Sequence, residues 1–163
     1  KRTEKLLNES TMQGEEMKAQ EEEMRQNLEE LSATQEEMHR VLKEFQEKER
    51  YMKELMNASN DGILTVDRDM HVINCNEAFK KTYSAHGLNI EKGFDLNNFF
   101  TTDEEKKKYA AIYERVFKGE SFEIIETYET GDVPTKISIH YSPLRNEEGK
   151  IIAAAVFIHN MNG

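Results

Sequence analysis

The amino-acid sequence predicts an α+β protein: a five-stranded antiparallel sheet with its helices on one face, preceded by one long N-terminal helix. Residues 1–56 contain no proline and a single glycine, Gly14, whereas the other glycines and both prolines come later. The later segments follow the order strand, strand, short helices, one longer helix and three strands, which is typical of an antiparallel sheet with segregated helices. We therefore divide the chain into a long coiled-coil helix, 1–56, and a compact domain, 57–163.

The long helix carries an apolar residue at every seventh position. Six successive heptads have one at position d, and three of the six a positions are apolar too. At ~1.5 Å per residue the helix is about 84 Å long, which exceeds the width of a domain of about 100 residues. Most of the stripe therefore needs a second chain, and we expect a homodimer, parallel or antiparallel. The predicted seam consists of Met17, Met24, Leu28, Leu31, Met38, Leu42, Phe45, Met52 and Met56.

A hairpin should open the compact domain. The long helix is expected to end among the turn-forming residues 57–60, and Gly62 can supply a left-handed conformation. Two runs rich in β-branched residues, 63–66 and 71–75, flank the polar turn 67–70. This pattern predicts two antiparallel strands.

Helices are predicted between the hairpin and the last strands. Residues 76–83 form a short helix, for which Asn76 is placed as the N-cap. Residues 84–100 are expected to form short helical turns that close over a core. A longer helix starts from a cap at Thr102 or Asp103 and stops at Gly119.

The last third of the chain predicts three strands, 121–129, 135–142 and 150–159. Both faces of the strand 150–159 are apolar, which places it in the middle of the sheet. One face carries Ile152, Ala154, Val156 and Ile158, and the other carries Ile151, Ala153, Ala155 and Phe157. The helices can cover one of these faces. The other needs the end of the long helix, near Met52, Leu55 and Met56, or a second subunit.

Charge and composition exclude several classes of partner. The net charge of -10 disfavours binding to nucleic acid or to anionic lipid. The single cysteine, Cys75, cannot form an internal disulfide, as expected for a cytoplasmic protein. The longest apolar run, 151–158, is far shorter than the ~20 residues of a membrane-spanning helix. Because there is neither an initiator methionine nor a signal-peptide pattern, we expect the chain to belong to a longer protein, which can itself carry a membrane anchor.

Residues 57–161 resemble a PAS sensor domain in an ordered set of short motifs. The matching segments are 61–63 (Asp-Gly-Ile), 67–69, 76–79 (Asn-Glu-Ala-Phe), 119–122 (Gly-Glu-Ser-Phe) and 146–152. The helix before them is similar to the linker helix that precedes PAS domains in bacterial multi-domain sensor histidine kinases and methyl-accepting chemotaxis-like proteins. The resemblance implies a sensory and relay module in signal transduction, of the two-component histidine-kinase type. A PAS module of a chemotaxis protein and a dimerisation domain that senses nothing are the alternatives.

No catalytic machinery is found in the sequence, so we do not expect this chain to be an enzyme. Neither nucleotide-loop fingerprint is present. His39 lacks the acidic residue and proline that surround a histidine-kinase phosphoacceptor, and we interpret it as an ordinary exposed histidine. The partners implied are therefore a second copy of the chain and the other domains of the parent protein.

No cofactor is expected either. Flavin-binding PAS domains carry a reactive cysteine in a distinct helical motif, whereas Cys75 lies at a strand end. His86, in the loop after the first short helix, is the least implausible haem ligand, but a solvated loop residue is the better interpretation. The histidines form no His-x-x-x-His pair for zinc, so no metal site is predicted.

An unidentified small ligand can still bind between the sheet and the helices. The apolar side chains that would line such a pocket are also explained as ordinary core, because both environments use the same residue types. The candidates are Phe79, Tyr83, Phe94, Phe99, Ile112, Val116, Ile125, Ile139, Tyr141 and Phe157.

Overall fold

The computed structural model describes residues 1–85, 87–129 and 134–162. Two compact units are distinguished, Lys1–Tyr51 and Met52–Gly163, and each is considered by itself. His86 and the predicted turn at residues 130–132 lie outside the described residues.

Helix α1 begins at Arg2 and ends at Asn57, close to the predicted boundary. Ion pairs along its surface support it: Arg25 lies 2.5 Å from Glu22 and 2.6 Å from Glu29. The seam side chains from position 17 to position 45 are 54–67% exposed. The residues that the structure describes therefore leave this apolar stripe exposed, and its pairing with a second chain stays a prediction.

The second unit contains the predicted five-stranded sheet. All neighbouring strands are antiparallel, in the order β2-β1-β5-β4-β3. The strands are β1 (Gly62–Val66), β2 (Val72–Cys75), β3 (Phe122–Tyr128), β4 (Thr135–Arg145) and β5 (Ile151–Asn160). As its two apolar faces indicated, β5 is the central strand. The α+β fold class is confirmed.

Side-chain caps define the helices that follow the hairpin. Helix α2 (Glu77–Ser84) starts after Asn76, whose side chain accepts a hydrogen bond from the Phe79 amide, as predicted. One short 3-10 helix, Leu96–Asn98, is described within the segment expected to form helical turns. Helix α3 (Asp103–Phe117) has a complete capping box between Thr102 and Glu105.

The hydrophobic core lies between the helices and one face of the sheet, here called the inner face. Side chains from every strand but β3 are fully buried there together with side chains of α2 and α3, while β3 contributes half-buried ones. Inner-face residues of the sheet include Leu64, Val72, Ile139, Tyr141, Ala154 and Val156. The core therefore lies between two layers, the sheet and the helices α2 and α3.

The alternation predicted for β5 fails at its start. Ile152 was expected beside Ala154, yet Ile152 is 51% exposed and Ile151 is buried. The cause is a register shift at Leu144 and Arg145, where β4 pairs with β5. Such a bulge inserts one extra residue and turns the following side chains to the opposite face.

The opposite, outer face of the sheet is not covered by the end of α1. Met52 and Leu55 are both more than half exposed, and Met56 is half-buried. The prediction that Met52 and Leu55 cover this face is therefore wrong for the single chain. A second subunit stays a prediction.

Candidate functional site

The structure brings most of the predicted pocket residues together on the inner face. Five of them are fully buried in the core, and three pack against it half-buried. The buried ones are Phe79, Ile112, Val116, Ile139 and Tyr141. The half-buried ones are Tyr83, Phe94 and Phe99.

Two predicted pocket residues, Ile125 and Phe157, lie elsewhere. Ile125 is 58% exposed and Phe157 is 40% exposed. Strand residues alternate between faces, and in β3 it is Ile124 that packs against the core. Both are therefore removed from the candidate pocket, because their side chains belong to the outer face.

A chain of aromatic contacts runs through the helical layer. The ring centroids are 4.5 Å apart for Phe79 and Tyr83, 5.2 Å for Tyr83 and Phe99, and 5.4 Å for Phe99 and Phe100. Phe100 then stacks on Tyr109 of α3 at 4.2 Å. Each of these rings is therefore in direct contact with the next, and such pairs contribute about 0.5–1.5 kcal/mol each beyond their buried area.

A second aromatic group joins α3 to the sheet. The rings of Tyr113 and Tyr141 meet edge to face at 5.9 Å, and Phe122 of β3 stacks on Tyr141 at 5.4 Å. Tyr113 is 5% exposed and Tyr141 is 2% exposed. Burial raises the pKa of both phenols, because the charged form is poorly solvated there. Burial likewise raises the pKa of Tyr83 to about 12.

Glu126 is a polar inner-face residue that the sequence analysis did not identify. Its carboxylate is 13% exposed and accepts hydrogen bonds from Lys108 of α3 and from the Tyr128 hydroxyl. Burial acts to raise the pKa of Glu126, but these hydrogen bonds outweigh it and the pKa is lowered. The alternation of β3 places Glu126 on the same face as Ile124, but Ile124 and Ile125 are both apolar, so the sequence alone does not show which face is the inner one.

Asn76 forms a buried joint between the end of α1 and the core. Its side-chain nitrogen donates to the carbonyls of Met56 at 2.9 Å and Asp61 at 2.8 Å. Its side-chain oxygen accepts from the amides of Ile63 at 2.8 Å and Phe79 at 3.0 Å. The residue is 1% exposed, so one buried side chain connects the last turn of α1, the turn after it, β1 and α2.

Two further contacts strengthen this joint. The Asn57 side chain, at the last residue of α1, accepts from the Glu77 amide at 2.9 Å. The Asp61 carboxylate lies 2.7 Å from the imidazole of His159, near the end of β5. The sequence analysis placed Asn76 as a helix cap but missed its contact with Met56, which lies 20 residues earlier.

The Cys75 thiol is buried against the Ile90 carbonyl, and burial raises its pKa, which disfavours the reactive thiolate. In the three described ranges, no group of His, Cys, Asp and Glu side chains could hold a metal ion. The helices of the described residues include none long and apolar enough to cross a membrane.

Solved structures of several known proteins share this architecture. The PAS domain of an HTR-like protein from Haloarcula marismortui superposes with a TM-score of 0.51 at 16% identity, covering 75% of this chain and 98% of that one. The PAS domain of Bordetella pertussis BvgS gives a TM-score of 0.54 at 13% identity, with coverages of 71% and 87%. The phage VqmA-DPO complex gives 0.54 at 12%, with coverages of 72% and 54%.

At these identities the superpositions show the fold alone. No curated protein matches the chain. A family model described as PAS fold matches residues 56–162, which is more than half of the sequence. The chain therefore belongs to the PAS family.

Proposed function

We propose that this chain is the sensory and relay module of a bacterial signal-transduction protein of the histidine-kinase type. A small ligand or a partner changes the PAS domain, and the change passes through α1 of a cytoplasmic homodimer to an output domain elsewhere in the protein. The chain itself performs no catalysis in this proposal.

The Asn76 joint is the observation that carries the proposal. Helix α1 ends at Asn57, and the carbonyl of Met56 in its last turn is held by Asn76 at 2.9 Å. The same side chain caps α2 through the Phe79 amide. Because buried hydrogen bonds tolerate little change in distance, a shift of α2 must be accommodated at the end of α1.

The aromatic contacts link this joint to the interior of the domain. The Phe79 amide bonds to Asn76, and its ring contacts Tyr83, which in turn contacts Phe99. A ligand that displaces Tyr83 or Phe99 would therefore act on α2 and, through Asn76, on α1. This is a continuous set of physical contacts, which is what coupling between two sites requires.

In this proposal the apolar stripe of α1 passes the change on towards the output domain. Its seam residues from Met17 to Met52 are exposed in the single chain, which is the condition expected of a helix that pairs with a second copy. Alternate a positions hold the polar residues Glu21, Gln35 and Glu49, and four d positions hold methionines. Polar a residues lower the stability of a coiled coil and methionine packs adaptably, so two registers can differ little in free energy.

Two deletions in α1 test the relay in the full-length protein. Removing residues 17–23 keeps the seam in phase, whereas removing residues 17–20 rotates the two ends by about 50° relative to each other at ~3.5 residues per turn. The seven-residue deletion should retain regulated kinase output, and the four-residue deletion should lock the output on or off. Circular dichroism of both variants checks that the helix persists.

Equal outputs from the two deletions would contradict the relay and leave α1 a passive tether. Absence of regulated output from the unaltered full-length protein, with dimerisation retained by sedimentation, would favour the dimerisation domain that senses nothing. A control deletion of residues 10–16, which is also seven residues long, should behave as the deletion of 17–23 does.

A further inference from the structure

The two edges of the five-stranded sheet differ. At the β2 edge, the Val72 amide donates to the Phe94 carbonyl at 2.9 Å, and the Val72 carbonyl accepts from the Gly93 amide at 2.7 Å. The segment 93–94 therefore closes part of this edge. At the other edge, β3 pairs only with β4, and its residues make no further backbone hydrogen bond to the residues that the structure describes. The backbone groups of β3 that point away from β4 are therefore open to another strand.

Strand β3 lacks the features that usually protect an open edge. It is seven residues long, contains neither proline nor lysine, and pairs with β4 without a bulge. Most of its residues are aromatic or β-branched, the types that favour strands. Ile125 is 58% exposed and Tyr128 is 41% exposed, so apolar surface lies beside the open backbone.

Two glutamates are the only charged residues of β3. Glu123 accepts a hydrogen bond from the Ser138 hydroxyl, and Glu126 is paired with Lys108. Like charges directly opposite each other destabilise a pair of strands. The positions of these glutamates therefore restrict the strands that the edge can accept.

A second copy of β3 fits this edge in one antiparallel register. The groups that point away from β4 belong to alternate residues, so a two-fold axis between two copies of β3 passes through a residue. A register centred on Glu123 or Glu126 places that glutamate opposite its own counterpart. The register centred on Ile125 pairs all seven residues and places no like charges opposite each other, whereas every other centre pairs five or fewer.

The register centred on Ile125 also forms favourable pairs on both faces. Ile125 lies opposite its counterpart, and Phe122 lies opposite Tyr128 of the second copy. Aromatic and β-branched pairs of this kind stabilise antiparallel strands. We propose that β3 is a self-association site, at which the compact units of two copies join their sheets into one continuous antiparallel sheet. This site is separate from the α1 seam and does not rest on the proposed relay.

Engineered cysteines in the full chain test the register. Ile125→Cys places two thiols opposite each other, with Cα atoms about 4.5–5.5 Å apart, which a disulfide can bridge. Thr127→Cys is the matched control, because its two copies would lie about 14 Å apart along the strand, too far for a disulfide. After oxidation with diamide, Ile125→Cys should run as a dimer on a non-reducing gel. Thr127→Cys and the unaltered chain, whose Cys75 is buried, should remain monomers on that gel.

A mixture of two variants checks the same register independently. Glu123 of one copy lies opposite Thr127 of the other, so Glu123→Cys and Thr127→Cys with different mass tags should form a mixed disulfide. Neither variant should cross-link alone. All three substituted positions are exposed, and if Ile125→Cys does not fold, the mixed pair still decides the result.

Charge at position 127 tests whether the cross-linking reflects stable pairing. Thr127→Lys, added to Ile125→Cys, places an ammonium opposite Glu123 at two symmetric positions. Each pair contributes about 1.4- to 5-fold, so the protein concentration needed for half-maximal cross-linking should fall about 2- to 25-fold. Thr127→Glu places like charges at the same positions and should raise that concentration.

Three results would overturn the proposal. The first is that Ile125→Cys cross-links no faster than Thr127→Cys. The second is that Glu123→Cys links to Ile125→Cys faster than to Thr127→Cys, which indicates a register centred on Ile124. The third is that the Ile125→Cys cross-link is lost in the full-length parent protein, which would assign the edge to an extended segment of another domain.

Discussion

Replacing Asn76 with alanine should lower the free energy of unfolding of the compact unit by about 3 kcal/mol. Four hydrogen bonds are lost, each with a net contribution of about 0.5–1.5 kcal/mol. Their sum is about 2–6 kcal/mol, and the lower half is expected because the four bonds share one residue and are not independent. The loss of the helix cap accounts for about 1 kcal/mol of it.

Urea unfolding monitored by tyrosine emission measures this change. The chain has no tryptophan, and five of its six tyrosines lie after residue 51, so the signal reports mainly on the compact unit. With a slope of about 1.5 kcal/mol per M, the midpoint should fall by about 2 M. Asn98→Ala alters an exposed asparagine and should change stability by less than about 0.5 kcal/mol.

Asn76→Asp separates the role of the donor nitrogen of Asn76 from that of its acceptor oxygen. Aspartate keeps the acceptor oxygen and the helix cap, but it replaces the donor nitrogen with an oxygen that faces the carbonyls of Met56 and Asp61. It should therefore loosen the end of α1 while α2 stays capped, which amide exchange at residues 53–57 and 79–83 can resolve. The reasoning would be refuted if Asn76→Ala lowered the free energy of unfolding by less than about 1 kcal/mol. It would also be refuted if Asn76→Asp changed amide exchange equally at residues 53–57 and 79–83.

Two further predictions concern the pH dependence of stability. The pKa of Glu126 is lowered by its bonds to Lys108 and Tyr128, so its stabilising effect is present at neutral pH and is lost as the pH falls through that lowered value. Glu126→Gln should therefore lower the melting temperature at pH 7 but hardly at pH 3, and an equal loss at both would contradict this. The pKa of Tyr83 is raised from 10.0 to about 12, so its effect is complete below pH 10 and is lost as the pH rises towards 12. Tyr83→Phe should reduce alkaline unfolding in this window, which circular dichroism between pH 9 and 12 can measure; unchanged alkaline unfolding would speak against the burial of this phenol.

Local signals in the sequence were sufficient for the elements and for the fold class. The caps at Asn76 and Thr102 fix the starts of α2 and α3. At each cap, a side-chain oxygen accepts a hydrogen bond from a first-turn amide that has no partner within the helix. The two apolar faces of β5 indicate a central strand, since an edge strand would expose one of them. The PAS family model matches residues 56–162, a segment that contains α2, α3 and β5.

It was harder to predict which face of the sheet a strand residue lies on where two apolar residues are adjacent. Ile124 and Ile125 are equally apolar, so composition alone cannot decide which one faces the core. The choice follows from the register of β3 against β4, in which Ile124 lies opposite Ile139. The bulge that exposes Ile152 is likewise a property of strand pairing, and no turn-forming residue within β5 marks it.

The candidate site depends on contacts between distant residues, which explains why it was only partly predicted. The apolar residues of the interior were recognisable by type, but the pairing of Lys108 with Glu126 brings together α3 and β3. Asn76 and Met56 are in contact although the hairpin and the end of α1 lie between them in the sequence. Such contacts follow from the folded topology and leave no periodic trace in the sequence.

A relay needs an element with two arrangements, and the Asn76 joint is not that element. All four hydrogen-bonding positions of its side chain are filled, so any change at Asn76 costs the loss of at least one bond. Asn76 therefore connects α2 tightly to the last turn of α1. We infer that the second arrangement lies in the seam, where Glu21, Gln35 and Glu49 weaken the a positions. In the proposed relay, a rigid joint next to an adaptable seam would pass on a rotation, which is why the phase of the seam should matter more than its length in the two deletions.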